Sequence, residues 1–336
     1  MAVTDERNDV VLLRHENQSR LVSPRVVELA DQGLKIFQEV TLCSWTSHVV
    51  GKVNQSVVDV APIDTEKELH TVTSLDGTEI GYWVTGEGPP IVLVNGPFGD
   101  HTRWDTLVPH LEPQVTVHAI DRSGRGASED HPEWRIEREY EDVAAVVDAV
   151  ADSTGAPVTV YGQSGGGIYA FGAVPLTANV GQLVLYEGWP PMGPDIISPP
   201  TALVEEMQRL LEEDDRDALL ELVFRKLVGS TEDELEHLKS QPSWQARVEA
   251  AHTGVRELRA LAERSWNPEE ALRITVPTLL LVGDTDPHPI ADEAEAVVNT
   301  LPDARIAVLE GQAHEADITA PELVAEVIVE FVDQTG

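Results

Sequence analysis

From Glu68 onward the chain alternates between short apolar runs and patterns of helical period. The stretch ELHTVTSLDGTEIGYWVTG alternates apolar and polar positions around Asp76-Gly77, which is typical of a β-hairpin. Continuous apolar runs follow it, and such runs are typical of strands buried on both faces of a parallel sheet. These runs lie at Ile91–Val94, Val115–Ile120, Val158–Tyr161, Leu183–Tyr186, Thr278–Val282 and Arg305–Leu309.

Helical patterns lie between these runs, at Tyr140–Ala151, Ile168–Val174, Ala291–Leu301 and Pro321–Phe331. Alternating strands and helices predict a mostly parallel sheet covered by helices, which places the chain in the α/β class. Two hairpin strands and six apolar runs together predict a sheet of about eight strands.

Two segments depart from this alternation. Residues 188–271 open with the proline-rich WPPMGPDIISPP and continue as predicted helices at Thr201–Glu212, Asp217–Leu227, Thr231–Lys239 and Trp244–Glu263. An all-helical insertion after the sixth strand predicts a cap over the strand ends, where ligands bind in open α/β sheets. The α/β core then consists of residues 66–187 and 272–336. Residues 1–65 form an extension with one predicted helix, Pro24–Glu39, no predicted strand and no assigned role.

Composition narrows the classes of partner. The chain has 59 acidic and 23 basic residues and a formal net charge of −36, which argues against nucleic acid and anionic lipid as partners. One cysteine, Cys43, allows no intrachain disulfide. We find neither a signal-peptide pattern nor an apolar run long enough to span a membrane, so a cytoplasmic location is expected.

The strongest chemical signal is the segment VTVYGQSGGGIYAFG. The strand Val158–Tyr161 runs into Gly162-Gln163-Ser164-Gly165-Gly166 and then into a helical pattern, so G-x-S-x-G stands between a strand and a helix. Such a tight turn presents the serine hydroxyl at the end of the sheet, beside the N–H groups that open the helix. A phosphate-binding turn is the alternative, but neither G-K-[ST] nor G-x-G-x-x-G is present. The pattern therefore predicts that Ser164 is a nucleophile.

A serine nucleophile needs a base that is oriented by an acid. In chains with this turn, the acid and then the histidine lie C-terminal to the serine. His314 lies in ARIAVLEGQAHEAD, between the last strand and the last helix, and is the predicted base. Asp286 in VGDTDPH is the predicted acid. Asp284 in the same loop is its rival, and Glu187, at the end of the strand Leu183–Tyr186, is a third candidate.

These motifs together resemble the α/β-hydrolase superfamily over residues 68–336. The resemblance rests on GQSGG, on DRSGRGAS at Asp121–Ser128, on VGDTDP at Gly283–Pro287 and on GQAH at Gly311–His314. It is closest to a capped bacterial group, through DHTRW at Asp100–Trp104 and LVLYE at Leu183–Glu187. The resemblance implies an acyl-enzyme on Ser164, proton transfer by His314 and an oxyanion hole that uses the Gly165 N–H. No H-E-x-x-H or comparable set of metal ligands is present, and we expect neither a metal nor a cofactor.

One loop departs from the superfamily pattern. Where the superfamily usually has His-Gly followed by the residue that supplies the second oxyanion N–H, this chain has Asn95-Gly96-Pro97-Phe98. Pro97 has no N–H, so after a local shift Phe98 is the candidate donor.

Two functions from different classes follow. The first is a serine hydrolase that cleaves a small or medium ester, lactone or thioester under a helical cap. The second, suggested by Pro97, is a weakly active or non-hydrolytic homologue that binds a small ligand or performs lyase or perhydrolase-type chemistry. Both readings predict a small-molecule ligand, and neither fixes the oligomeric state.

Overall fold

The computed structural model describes residues 10–13, 67–190, 199–264, 268–285 and 290–335. Nine strands in these ranges form one sheet: β1 Val10–Leu13, β2 Glu68–Thr73, β3 Glu79–Thr85, β4 Pro90–Val94, β5 Thr116–Ile120, β6 Val158–Gln163, β7 Val180–Tyr186, β8 Thr278–Gly283 and β9 Ala304–Leu309. The sheet order is β1-β9-β8-β7-β6-β4-β5-β3-β2. All pairs are parallel except those of β3 with β2 and β5, which confirms the predicted mostly parallel sheet with a hairpin at one edge.

The first strand is a correction to the sequence analysis, which assigned no strand to residues 1–65. Val10–Leu13 runs parallel to β9, with Val10 opposite Ile306 and Leu13 opposite Leu309. Without this strand, β9 would be the edge of the sheet, and an edge strand offers unpaired backbone groups to any extended segment. The predicted helix at Pro24–Glu39 lies outside the described residues.

Helices cover both faces of the sheet and fill the connection between β7 and β8. Those that connect the other strands or end the chain are α1 Val108–Leu111, α2 Ile136–Thr154, α3 Gly165–Ala173, α10 Ile290–Val298, α11 Ala316–Thr319 and α12 Pro321–Thr335. The β7–β8 connection holds α4 Thr201–Glu212, α5 Arg216–Val223, α6 Glu232–Ser240, α7 Ser243–Glu249, α8 Ala251–Glu263 and α9 Pro268–Ala271. A 3₁₀ helix spans His101–Asp105, and a π turn spans Phe224–Val228.

The cap differs in one detail from the expected helix Trp244–Glu263. Ala250 has ψ 5°, far from the helical value near −42°, so the helix divides into α7 and α8 at this residue. Each of the two helices contributes a side chain to the cavity described below.

Alternation along the central strands explains why both faces are buried. Ile91 and Leu93 pack with Trp104 in the cluster under α1 and α12, whereas Val92 and Val94 pack on the opposite face with residues of α2. Side chains on a strand alternate between faces, so a run that is apolar throughout needs cover on both. The cap has its own apolar cluster, which includes Leu219, Leu220 and Leu235.

No helix among the described residues is both long and apolar enough to cross a membrane.

The structure predicts that His118 makes the fold sensitive to acid. His118 on β5 is 4 % exposed, and neither ring nitrogen has a hydrogen-bond partner among the described residues. Burial, helped by the nearby His70, lowers the pKa of His118 to about 4. The unfolded chain binds this proton near pH 6.5 and the native one only near pH 4, so native stability falls as the pH drops through this interval.

The test is urea unfolding at pH 7 and pH 5. His118→Phe keeps a ring but no titratable group, so we expect its free energy of unfolding to fall less between the two pH values than that of the wild type. His110→Gln, at an exposed histidine, is the control and should follow the wild type. A fall in the His118→Phe protein equal to that of the wild type would contradict the assignment.

Candidate active site

Ser164 lies at the junction of β6 and α3, in a strained backbone conformation. Its φ of 55° and ψ of −133° fall in a region that residues with a side chain rarely adopt. A Cβ on Gly162 would lie 2.6 Å from the Gly166 carbonyl oxygen, and one on Gly166 would lie 2.1 Å from the Val94 carbonyl oxygen. The glycines at these positions therefore allow the turn to close, as the G-x-S-x-G pattern predicts.

Ser164 and His314 line the same cavity of about 60 Å³. One wall comes from the core, through the loop Gly96–Phe98, and the other comes from the cap, through residues of α5, the π turn, α7 and α8. A second cavity of about 500 Å³ lies next to the first and shares Val228, His314 and Glu315 with it. His314 thus stands between a small cavity and a large one.

The topology explains why these residues meet. Ser164, Glu187 and the loop that holds His314 follow β6, β7 and β9, which are all parallel strands of one sheet. The carboxyl ends of parallel strands lie at one edge, and the loops there form the usual ligand site of open α/β sheets. The Tyr186 hydroxyl also donates a hydrogen bond to the Ala313 carbonyl oxygen, which ties the His314 loop to the end of β7.

Glu187 is the carboxylate that contacts His314. Its Oε2 lies 2.8 Å from Nδ1 of His314, and its Oε1 accepts a hydrogen bond of 2.7 Å from the Gly283 N–H. Glu187 is 7 % exposed and has a positive φ of 43°, so the chain holds a strained residue at this point too. With Nδ1–H directed to the carboxylate, Nε2 is the basic nitrogen of the neutral ring.

Neither of the other two candidate acids has a described contact with His314. Asp284 is exposed, and its Oδ1 accepts a 2.5 Å hydrogen bond from the Gly311 N–H, which joins the loops after β8 and β9. Asp286 lies outside the described residues and stays a prediction from the sequence.

The loop after β4 brings Pro97 and Phe98 into the same cavity wall as Ser164. A Cβ on Gly165 would lie 2.8 Å from Cδ of Pro97, so the proline ring covers the start of α3. Gly165 is the first residue of α3, and its N–H belongs to the group that an α-helix leaves without an internal acceptor. Phe98 adopts a left-handed φ of 70° and buries its ring in the cap cluster.

A buried arginine, Arg122, fixes this loop. Its Nε donates to the Asn95 carbonyl oxygen and its Nη2 to the Gly96 carbonyl oxygen, both at 2.8 Å. The same guanidinium forms salt bridges with Glu139 on α2 at 2.7 Å and with Glu257 on α8 at 2.8 Å. Although burial lowers the pKa of Arg122, the two carboxylates raise it above its usual range, so the group stays charged. One side chain therefore joins the loop after β4, the core and the cap.

One group of side chains has the spacing of metal ligands. Asp100, His101 and Asp121 bring their ligand atoms within 4.8 Å of one another. The described contacts already use these atoms, because Asp121 accepts from the His101 backbone and from Trp83 Nε1, and Asp100 caps the 3₁₀ helix. The arrangement favours a structural role.

Comparison with known proteins places this fold and site in a family. The model of the Alpha/beta hydrolase family matches residues 91–327, which is more than half of the chain. This chain belongs to the alpha/beta hydrolase family.

The relatives carry several activities. The chain is 26 % identical over 254 residues to a pimeloyl-[acyl-carrier protein] methyl ester esterase of Xanthomonas campestris pv. campestris, covering 74 % of this chain and 97 % of the relative. It is 26 % identical over 271 residues to a non-heme haloperoxidase of Rhodococcus erythropolis, covering 78 % and 98 %. The crystal structure of an alpha/beta hydrolase from Sphaerobacter thermophilus matches with a TM-score of 0.68 and 32 % identity over 78 % of this chain and all of that one. Family membership therefore leaves the substrate open.

From the contacts of Arg122 we predict that Arg122→Lys lowers the free energy of unfolding and displaces the loop at Asn95 and Gly96. Lysine has no planar fork and cannot reach the two loop carbonyls and the two carboxylates together. Breaking such a buried network typically costs about 3–5 kcal/mol of the free energy of unfolding. Urea unfolding measures this cost, and Arg209→Lys, at an exposed helix ion pair, should change stability by less than about 1 kcal/mol. Equal stability in the two variants would contradict the role assigned to Arg122.

Proposed function

We propose that this protein is a serine hydrolase that cleaves a small or medium ester, lactone or thioester through an acyl-enzyme on Ser164. One observation carries the proposal: the imidazole that contacts the buried Glu187 carboxylate lines the same cavity as the strained Ser164. A serine, a histidine and a carboxylate in this relation form a nucleophile, its base and the group that orients the base.

The chemistry follows from the atoms present. His314 Nε2 takes the proton of the Ser164 hydroxyl as Oγ attacks the substrate carbonyl carbon. The negative charge that develops on the carbonyl oxygen is stabilised by the N–H groups of Gly165 and Phe98. The imidazolium returns the proton to the leaving alcohol or thiol, and water then hydrolyses the acyl-enzyme by the same route. Glu187 holds the Nδ1–H and stabilises the imidazolium.

We propose Glu187 as the acid, in place of Asp286. Three features support it: the 2.8 Å contact with Nδ1, the burial of the carboxylate, and the Gly283 N–H that fixes its second oxygen. A carboxylate with both oxygens occupied holds the ring in one orientation, which the exposed Asp284 is not arranged to do.

Pro97 favours a second candidate function. The proline ring lies against Gly165 at the position where the superfamily usually supplies an N–H, so the site has a different environment for the oxyanion. One of the relatives is named a haloperoxidase. A site of this kind could bind a small ligand without hydrolysis, or pass the acyl group to peroxide in place of water.

The remaining expectations concern the setting of the reaction. A small-molecule substrate, the absence of nucleic acid and membrane as partners, and a cytoplasmic location stay predictions from the sequence.

The first test is labelling with a fluorophosphonate probe, which reacts with an activated serine. We expect the wild type to be labelled and Ser164→Ala to be inert, while Ser153→Ala, at an exposed serine, is labelled normally. Folded wild-type protein that resists the probe would favour the non-hydrolytic candidate.

The second test separates the three acids. Glu187→Gln keeps the shape of the side chain but removes the charge that holds the imidazolium, so kcat on a short-chain p-nitrophenyl ester should fall on the order of 10³–10⁴-fold. Asp284→Asn and Asp286→Asn are the matched variants and should retain most of the activity. The reverse pattern, with Asp286→Asn the damaging change, would return the role to Asp286.

A further inference from the structure

Arg247 places a buried positive charge in the wall of the Ser164 cavity. It lies on the cap helix α7 and lines the cavity together with Ser164 and His314. Its side chain is only 5 % exposed. The cap thus sets a guanidinium against the nucleophile, across a space of about 60 Å³.

The hydrogen-bonding capacity of Arg247 is not used up. Nη2 is buried and has no hydrogen-bond partner among the described residues, and it lies 3.9 Å from Glu315 Oε2, beyond hydrogen-bond distance. Burial and, after it, the nearby Arg103 lower the pKa of Arg247 to about 10, so the group stays protonated at neutral pH. A buried N–H₂ of a charged group without an acceptor is costly, and its cost is removed when an acceptor arrives.

The nearby carboxylates are directed to another arginine. Asp317 receives both of its hydrogen bonds from Arg103 Nη2, at 2.9 and 2.8 Å, and Glu315 accepts from Arg103 Nη1 at 3.0 Å. Arg103 therefore takes the hydrogen bonds of both acids, and Arg247 keeps only the longer contact with Glu315. An acceptor for Nη2 has to come from outside this group.

The rest of the cap wall of the cavity offers no competing polar group. Apart from Arg247, the described cap residues that line it are apolar: Val223, Phe224, Leu227, Val228 and Leu258. In such surroundings an anionic group gains far more from the guanidinium than it would in water. The core side of the cavity adds Arg103 and Glu315, but these two groups are hydrogen-bonded to each other, and Arg103 also donates to Asp317.

We propose that Arg247 is a specificity-determining residue that binds a carboxylate on the acyl part of the substrate, so that the preferred substrates are half-esters of short dicarboxylic acids. The carboxylate would accept hydrogen bonds from the guanidinium in the planar arrangement that arginine offers to carboxylates. The small cavity between Ser164 and Arg247 limits the acyl chain to a few carbons, and the larger cavity beyond His314 accepts the leaving group. The inference rests on the proposed hydrolysis at Ser164.

A purely structural role for Arg247 makes a different prediction. Its guanidinium carbon lies 5.1 Å from the centre of the Phe224 ring, and this contact stabilises the cap. If that were its whole function, substitution would reduce the hydrolysis of charged and neutral esters to the same extent. The ratio between matched substrates therefore distinguishes the two roles.

The experiment compares monoethyl esters of malonic, succinic and glutaric acid with the corresponding ester amides, which have the same shape and no charge. Ethanol release gives kcat/KM for each. In the wild type we expect at least one chain length at which the carboxylate is preferred over the amide roughly 10–100-fold, from a charge-assisted hydrogen bond. Arg247→Gln should lose this preference and still hydrolyse the ester bond of the neutral ester amides. Arg259→Gln, which removes an exposed charge on α8, should retain the preference.

Two results would overturn the inference: a wild type without carboxylate preference at any chain length, or an Arg247→Gln protein that keeps the preference. If none of the esters is hydrolysed, the proposed function fails, and calorimetry then decides the role of Arg247 separately. Ser164→Ala should bind one or more of the three monoethyl esters at least tenfold more tightly than Ser164→Ala with Arg247→Gln, and equal affinities for all three would overturn the subsite.

Discussion

The buried guanidinium of Arg122 is the contact on which the geometry of the site depends. It holds the carbonyl groups of Asn95 and Gly96 on one side and the carboxylates of Glu139 and Glu257 on the other. Tyr169 on α3 completes the arrangement, because its hydroxyl donates to Glu257 and its ring lies 4.4 Å from the guanidinium carbon. The loop beside Ser164, the helix that follows Ser164 and the cap are thereby fixed to one buried charged group.

Burying these charged groups would destabilise the folded protein if any one of the partners were missing. Removing an arginine and its carboxylates from water is unfavourable, and hydrogen bonds to all the charged atoms compensate for it. The same condition makes the cap and the core interdependent, since Glu257 belongs to α8 and Arg122 to the loop after β5. Ser164, whose backbone is strained, packs against Gly96 of the loop that Arg122 holds, and such strain persists only where the surrounding structure fixes it.

Charge has two different roles in this protein. The net charge of −36 is a property of the surface, where it favours solubility and says little about the fold. Inside, arginines are hydrogen-bonded to acids: Arg122 to Glu139 and Glu257, and Arg103 to Asp317 and Glu315. Arg247 differs from these two because its Nη2 lies 3.9 Å from Glu315 Oε2, beyond hydrogen-bond distance.

The sequence by itself determined the class of fold, the tight turn at Ser164 between a strand and a helix, and the place of His314 in the loop after the last strand. Apolar runs with helices between them reflect burial of a sheet on both faces, and the glycines around Ser164 reflect a backbone approach that a Cβ would prevent; both are local constraints, so both are visible in the order of residues. The partner of His314 was not local, because Glu187, Asp284 and Asp286 all follow strands at the same sheet edge and no spacing distinguishes them. Only the tertiary structure set Glu187 against the imidazole, joined β1 to β9 and placed Arg247 of the cap in the wall of the cavity that Ser164 lines. These contacts join segments that are far apart along the chain: Glu187 and His314 are separated by 127 residues. Burial and hydrogen bonding depend on distances in space, which the order of residues alone does not give.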